Sequence, residues 1–541
     1  MSGNSQDLAM TDYDCDFCIV GGGSAGCVVA ARLTENPGFK VIVLEAGPRD
    51  WHPFVHIPAA CLFLQHDPRF NWLDQTIAQT NLGGREIRIP QGRLLGGSGS
   101  INGMLHVRPQ VSDIDGWGTE GWSYDDLMKV GIQAEDFSEG GPLRGEGGPH
   151  PVTGFVSTHL LAHAFVTACE GVGIPFNPDM NGPDRGGAAF FQQNRKGRFR
   201  SQPAQSYLRR ARGRANLHIL TGAICRKVMF EGRRATGVVY FRDGREYRLR
   251  VRREVILSAG ALRSPQILQV SGIGNPAELA RIGVPVVAGR NAVGRNLRDH
   301  FLLRLSHRVG GVETINERAR GFALLRELAH YVFRGGGALT MGAGAAAAII
   351  PSGLFGKVPD LQLSFAPGSF AGPGRLEKTP GMTIGGWLSP ARSKGTVMAR
   401  SADTRDRPLI DPNYLDDPVD RAGIIACTRM IRRIFDQPAL KRWSLGETFP
   451  GPETGNGEDE ILGFARQSGA SGYHFAGTCR MGDDPDSVVD GRLRVRDVQG
   501  LRVIDASVMP LPPIGNAHAT VVMTAEKGAR IVADDARHHS G

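Results

Sequence analysis

The segment Gly21-Gly22-Gly23-Ser24-Ala25-Gly26 constrains this chain more than any other. It follows the apolar run Phe17-Cys18-Ile19-Val20, and Cys27 to Leu33 then reads as a helix of small and apolar residues. A second apolar run, Val41-Ile42-Val43-Leu44, ends at Glu45. Short apolar runs bounded by glycine predict strands buried in a parallel sheet. In such a strand–turn–helix unit Gly21 permits the tight turn, Gly23 lets a pyrophosphate approach the backbone, and Gly26 lets the helix pack closely on the strand. The helix N-terminus turns its unpaired N–H groups, at Ser24 and Ala25, towards the phosphates. Glu45, with Ala46 beside it, lies about 20 residues on, where an acid accepts hydrogen bonds from a ribose. A glycine trio alone is weak evidence among 73 glycines, but strand, glycines, helix, strand and acid in order are strong evidence. They predict a dinucleotide site without deciding which dinucleotide.

Composition narrows the class. With 541 residues, 41% of them apolar, the chain is long enough for several cores, and length alone predicts about two to four domains. The net charge of +9 comes from scattered arginines with no basic–aromatic run, which argues against a nucleic-acid partner. A basic surface suits a bound pyrophosphate or a weak contact with an anionic membrane. The eight cysteines are dispersed, as expected for free thiols in a reducing compartment. Cys15 and Cys18 have the spacing of a redox or metal pair, but no second Cys/His pair lies at zinc spacing, so no metal is expected. Met1–Asp14 has neither a basic nor an apolar segment of the signal-peptide type. No apolar run reaches about 18 residues, the length of a membrane span. A cytoplasmic location is expected, with peripheral contact at the inner membrane left open.

Further along, Gly92 to Gly103 forms a glycine-lined loop suited to covering an extended ligand. Leu217–Leu220, Lys227–Phe230, Gly237–Tyr240 and Val255–Leu257 read as strands. Ser264–Val270 reads as a helix with Pro265 in its first turn. Arg320–Phe333 and Arg421–Phe435 have helical periodicity. Leu361–Ser364 and Met382–Ile384 look like strands. The Gly/Ala tract Gly335–Ile350 is read as a flexible gate or a tightly packed apolar helix. The segment Gly500 to Ser507 returns to a strand ending in an acid, Asp505, and Gly515 to Thr520 leads into an apolar helix reaching Val532. His538 and His539 lie in a polar tail.

Four segments together resemble the glucose–methanol–choline (GMC) oxidoreductase family. They are Val20–Gly26 with Leu44–Gly47; Gly92–Asn102; Gly260–Leu268 through Gly274; and Tyr473–Gly482 with Leu501–Pro510 and Gly515–Lys527. Val293–Leu297 with Asp299-His300 is also family-like. The resemblance implies an α/β fold, with a Rossmann-like FAD-binding domain and an inserted substrate-binding domain of antiparallel sheet and helices. The FAD-binding part would comprise 14–155, 206–305 and 466–535, and the substrate-binding part 156–205 and 306–465. FAD would be the cofactor, with Glu45 on the adenosine ribose. Arg93, Gly97, Ser98 and Asn102, continuing through Gly103, Met104 and Leu105, would follow the pyrophosphate and flavin. The backbone at Cys225 would touch the adenine side. Asp505, Ala506 and the turn Asn516–Thr520, including Ala519, would lie by the ribityl chain and ring. His474 aligns with the family's catalytic histidine and His518 with its second active-site position.

Some positions depart from the family pattern. Ile101 stands where some relatives attach FAD through a histidine, so FAD should be noncovalent. His106, Phe475 and Thr520 differ from frequent family residues near the pocket. The expected reaction is oxidation of a primary alcohol, His474 taking the hydroxyl proton and FAD the hydride, with neutral His518 helping to hold the alkoxide. Arg480 is expected in a structural ion pair. Electrons would pass to a quinone or other carrier, or alternatively to oxygen with peroxide released. A non-redox flavoenzyme or flavin-binding protein is a third reading, against which the intact histidine pair argues. Choline would need an aromatic cage, of which Tyr473 could form one wall, and a carboxylate; the Gly/Ala tract and Phe365 point instead to an uncharged apolar or aromatic alcohol.

Overall fold

The computed structural model describes residues 14–538 apart from Ser138, 155–158 and Pro373. The reading of Met1–Asp14, save for Asp14 itself, and that of His539 lie outside the described residues. Two sheets, each of seven strands among the described residues, organise the chain. In the first, Cys15–Val20 lies between Val41–Glu45 and Arg245–Leu257, parallel to both. Leu217–Thr221 extends the sheet on one side and Leu501–Val503 pairs with Arg245–Leu257 on the other. All six residues of Cys15–Val20 are buried, as a strand covered by helices on both faces requires.

The strand Arg245–Leu257 serves two neighbourhoods. Its first half pairs antiparallel with Arg234–Arg242, Val238 opposite Leu249, and its second half joins the parallel sheet, Val255 opposite Cys18. It delivers the chain to helix Gly260–Val270, which is four residues longer at its start than the sequence predicts. Pro265 therefore sits inside the helix, not in its first turn. Proline has no N–H to give to the carbonyl four residues back, and here that carbonyl, on Ala261, accepts a hydrogen bond from the Thr478 hydroxyl at 2.6 Å. The proline is tolerated because a side chain replaces the missing donor.

The second sheet is antiparallel and runs Ser444–Phe449, Phe301–Val309, Gly381–Leu388, Leu361–Ala366, Ala346–Ile350 and Gly187–Phe190, with Ala470–Ser471 against Phe301 and Leu302. Helices Leu160–Gly171 and Pro418–Phe435 cover one face and form a second core with it. The chain passes into this sheet near residue 300, because Phe301–Val309 is one continuous strand. The Gly/Ala tract is neither gate nor helix at its end: Ala346–Ile350 is a fully buried strand. Ala346 lies opposite both Phe190 and Phe365, whose rings need the space that a small side chain leaves. Phe365 stacks on Phe165 in that core at 5.0 Å and does not face a ligand. The eight cysteines are free and buried. No helix among the described residues is long and apolar enough to cross a membrane.

Candidate active site

A cavity of about 840 Å³ runs from the first glycine turn to the second sheet. At one end lies the glycine turn, with Gly21 and Gly23 on the wall. A Cβ at Gly26 would stand 1.9 Å from the Gly21 carbonyl oxygen, so only glycine lets helix Ser24–Leu33 approach its strand. A Cβ at Gly23 would meet no protein atom closer than 3.8 Å, and the space beside it is cavity. The helix has no side-chain cap at its N-terminus, so the N–H groups of its first turn are free to bind an anion. The Gly97–Ser100 turn lies across this end, a Cβ at Gly97 falling 2.8 Å from the Gly23 Cα. This cradle of small residues around an uncapped helix fits a pyrophosphate.

Glu45 is buried, and its two oxygens accept from the N–H groups of Gly22 (2.9 Å) and Gly47 (2.7 Å). Burial pushes its carboxyl up to about 7, against the pull of those hydrogen bonds. Each oxygen keeps a lone pair for a ribose hydroxyl. Gly21, Gly23, Ser24, Ala25, Glu45, Ala46, Gly97, Ser98, Asn102, Gly103, Met104, Leu105, Cys225, Asp505, Ala506, Asn516 and His518 all line the cavity. Four anticipated residues stand behind its wall. Gly26 is under the turn, Arg93 lies over the Trp72 ring at 5.0 Å, and Ala519 and Thr520 are buried in the first turn of helix His518–His538. Asp505 spends both oxygens locally, taking hydrogen bonds from Gly260 N–H and the hydroxyls of Ser264 and Ser507. It thereby ties the closing strand to the start of helix Gly260–Val270.

At the other end stands His474, in a segment pinned from several sides. Its backbone N–H donates to Asp299 Oδ1 at 2.7 Å, and Asp299 Oδ2 accepts from Tyr414 and Ser471. The preceding residue, Tyr473, has a left-handed backbone with φ 64°, a conformation that costs a bulky residue energy and persists only where surroundings enforce it. The His474 ring is placed by three groups. Its Nε2 lies 3.1 Å from Asn516 Nδ2, its Nδ1 lies 2.9 Å from His300 Nδ1, and the Trp387 ring meets it edge-on at 5.4 Å.

The network fixes the direction of each bond. Gln362 Nε2 donates to Asn516 Oδ1 at 3.3 Å, which leaves the Asn516 amide nitrogen to donate to His474 Nε2. Burial lowers the His474 pKa to about 4, so the ring is neutral near pH 7 and its single proton is on Nδ1. His474 Nδ1–H then donates to His300, whose own proton is on Nε2 and points to Ser389 Oγ at 3.2 Å. His300 is also buried and stacked on Trp387 at 5.3 Å, and burial with the neighbouring His474 holds its pKa well below the usual histidine range.

The structure places His518 on the cavity wall but not against His474. The side chain facing His474 is Asn516, two residues earlier. His518 Nε2 points to the Gly97–Ser100 turn, 3.2 Å from where a Cβ on Gly99 would stand. Neither ring nitrogen of His518 has a hydrogen-bond partner among the described residues. Its ring is 5.6 Å from that of His150, and burial first, then His106 and Arg200, lowers its pKa to about 3. His106 is outside the cavity wall, sharing Asn194 with His150 at 3.0 and 2.9 Å. Arg480 pairs with Asp484 at 2.7 Å, and exposed His538 bonds the Asp534 carbonyl. The sequence reading missed His300 as a functional residue, together with Gln362, Ser389 and Trp387. The Asp299-His300 pair was their one signal.

A dinucleotide cradle joined by one cavity to a neutral, oriented histidine defines a nucleotide-dependent oxidoreductase. The chain matches the family description "GMC oxidoreductase" over residues 15–302 and again over 391–525, and it belongs to that family, with FAD as its cofactor. It is 37% identical over 530 residues to an alcohol dehydrogenase [acceptor] of Pseudomonas putida, covering 96% of this chain and 95% of that one. It is 36% identical to the mitochondrial choline dehydrogenase of Homo sapiens, covering 95% and 89%. Among solved structures, pyridoxine 4-oxidase from Mesorbium loti superposes with a TM-score of 0.85 at 30% identity, over 96% of this chain and 99% of the other.

Proposed function

We propose that the protein oxidises an uncharged primary alcohol to an aldehyde, with His474 as the base and a quinone or other carrier as the final acceptor. The observation that carries this reading is the hydrogen-bond direction at His474: the ring is neutral, its proton is engaged by His300, and its Nε2 lone pair faces the Asn516 amide in the cavity. An alcohol hydroxyl that replaces the direct contact between them satisfies both groups. Its proton goes to Nε2 and its oxygen accepts from Asn516 Nδ2, so the donor is in place as alkoxide charge develops. Bound FAD supplies the acceptor for the hydride that leaves the carbinol carbon. His300 holds the base in the tautomer that accepts at Nε2 and fixes the ring plane. Trp387 walls the site and donates its own N–H to the Ile514 carbonyl at 2.9 Å, outside the reacting space.

Noncovalent FAD is supported by Ile101, whose side chain is buried in an apolar cluster with Val55 and Leu64. The substrate class is supported by charge. Arg304 lines the cavity with Tyr473, Phe370 and Phe449, its guanidinium 5.4 Å from the Phe449 ring. The acids of the wall are Glu45, Asp74, Glu86 and Asp505, and Asp74 is paired with Arg263. A cation near Tyr473 opposes a quaternary ammonium, while the aromatic and small residues accept an apolar chain or ring.

The test is anaerobic addition of primary alcohols to the yellow holoenzyme. Bleaching of the flavin band by aliphatic or aromatic alcohols is expected, with slow recolouring in air. Bleaching by choline alone would overturn the substrate class, and fast recolouring would replace the carrier by oxygen. No bleaching by any alcohol would remove the reaction itself.

A further inference from the structure

Helix Gly321–Arg334 is mounted with its polar side inward. Its buried residues are Glu327 and Tyr331. Glu327 accepts from the Ala338 N–H at 2.8 Å, and the Tyr331 hydroxyl donates to the Arg198 carbonyl at 3.1 Å. The opposite stripe carries Phe322 and Phe333, 82% and 84% exposed, with Leu325, Leu328 and Val332 also exposed. A surface helix that packs on its own protein shows the reverse arrangement.

The exposed apolar surface continues beyond the helix. Arg198, which donates to the Tyr331 carbonyl at 3.2 Å, is followed by exposed Phe199, and the strand Phe199–Arg200 packs against Pro53–His56. There Phe54 lies 6.0 Å from Phe63, and Phe63 and Trp51 are 67% and 71% exposed. At the other end of the helix Arg320 donates to the Leu376 carbonyl at 3.1 Å, on a hairpin whose Gly374 rests against Leu62 and His66. Leu62, Phe370 and Gly374 also line the cavity. The apolar surface and the cavity wall are therefore continuous.

The charge on this face is mainly basic. Arg49, Arg320, Arg326, Arg334 and Arg375 are exposed around the aromatic residues, and Glu313 is engaged by Arg318 and Arg326. A second copy packed here would set arginine against arginine. Aromatic and aliphatic side chains ringed by arginine match the acyl boundary and the headgroups of an anionic bilayer. We infer that this face docks on an anionic lipid surface, with helix Gly321–Arg334 lying in the interface plane. The docked cavity would then open towards a lipid-soluble acceptor, a consequence that rests on the carrier proposed above.

Vesicle sedimentation of the holoenzyme tests the docking. With phosphatidylcholine vesicles containing phosphatidylglycerol the protein should pellet, less so as salt rises, and less with phosphatidylcholine alone. The double variant Phe322→Ser/Phe333→Ser should bind about ten-fold more weakly or worse, while keeping its flavin absorbance and its turnover with a water-soluble dye. Those last two readouts separate loss of docking from failure of the proposed reaction. A wild-type protein that stays in the supernatant, or a variant that pellets equally, would overturn the inference. So would a dimer in light scattering that the double variant converts to monomer, which would assign the face to a second copy.

Discussion

Two histidine clusters border the same cavity, and they differ in how their protons are held. Around His474 the side chains form one directed chain of hydrogen bonds, from Gln362 through Asn516 and His300 to Ser389. Around His518 the rings of His150 and His106 crowd together, yet both nitrogens of His518 and the Nδ1 of His150 lack partners among the described residues. His474 and His518 are both half-buried on the cavity wall, and both are held neutral. Neutrality alone therefore does not make a base. A base needs a lone pair aimed at the substrate and a neighbour that keeps the ring proton on the other nitrogen. The open nitrogens of His518, beside the Gly97–Ser100 turn, suit contact with a bound cofactor.

Substitutions test that contrast. His474→Ala should lower kcat/KM by about 10²–10⁴-fold while the flavin spectrum stays, measured by steady-state turnover and anaerobic bleaching. Asn516→Ala should cost about 10²-fold, chiefly in kcat, because it removes a donor to the developing alkoxide. His300→Asn should cost about 10–100-fold in activity by losing control of the His474 tautomer, and the acid limb of its pH–rate profile should move. In the wild type that limb follows from the lowered pKa: protonation removes the base, so kcat/KM should fall as pH drops through about 4 and show no loss from His474 between there and neutrality. His518→Gln should have the smallest effect on kcat, about three-fold or less, and should instead weaken FAD retention in a desalting assay. If His518→Gln proved as damaging to kcat as His474→Ala, the distinction between the clusters would fail.

The nucleotide end was legible because its chemistry is local. Gly21, Gly23, Gly26 and Glu45 lie within one strand–helix–strand unit; Gly26 packs the helix against its strand, and Gly21, Gly23 and Glu45 line the cavity. The alcohol end is assembled from segments far apart in the chain, and spacing says nothing about which way their side chains turn. Asn516 and His518 share one turn, and the family resemblance favoured the histidine. The backbone entering helix His518–His538 aims Asn516 at His474 and His518 at the Gly97–Ser100 turn. Ala346–Ile350 was misread for a different reason: a short apolar run has no period to separate strand from helix. Pro265 misled because the donor that rescues it, Thr478, is supplied from more than 200 residues away.

That rescue has a consequence for assembly. Thr478 lies four residues after His474, and helix Gly260–Val270 starts where Asp505 and the cavity meet. The hydroxyl therefore acts as a locating pin between two parts of the chain made at different times. The proline leaves one socket in the helix, and only a donor at the right height fills it. Positional error in the base's segment is thus limited by a bond formed away from the reacting atoms, and the tolerance of the site is set in part by a missing N–H.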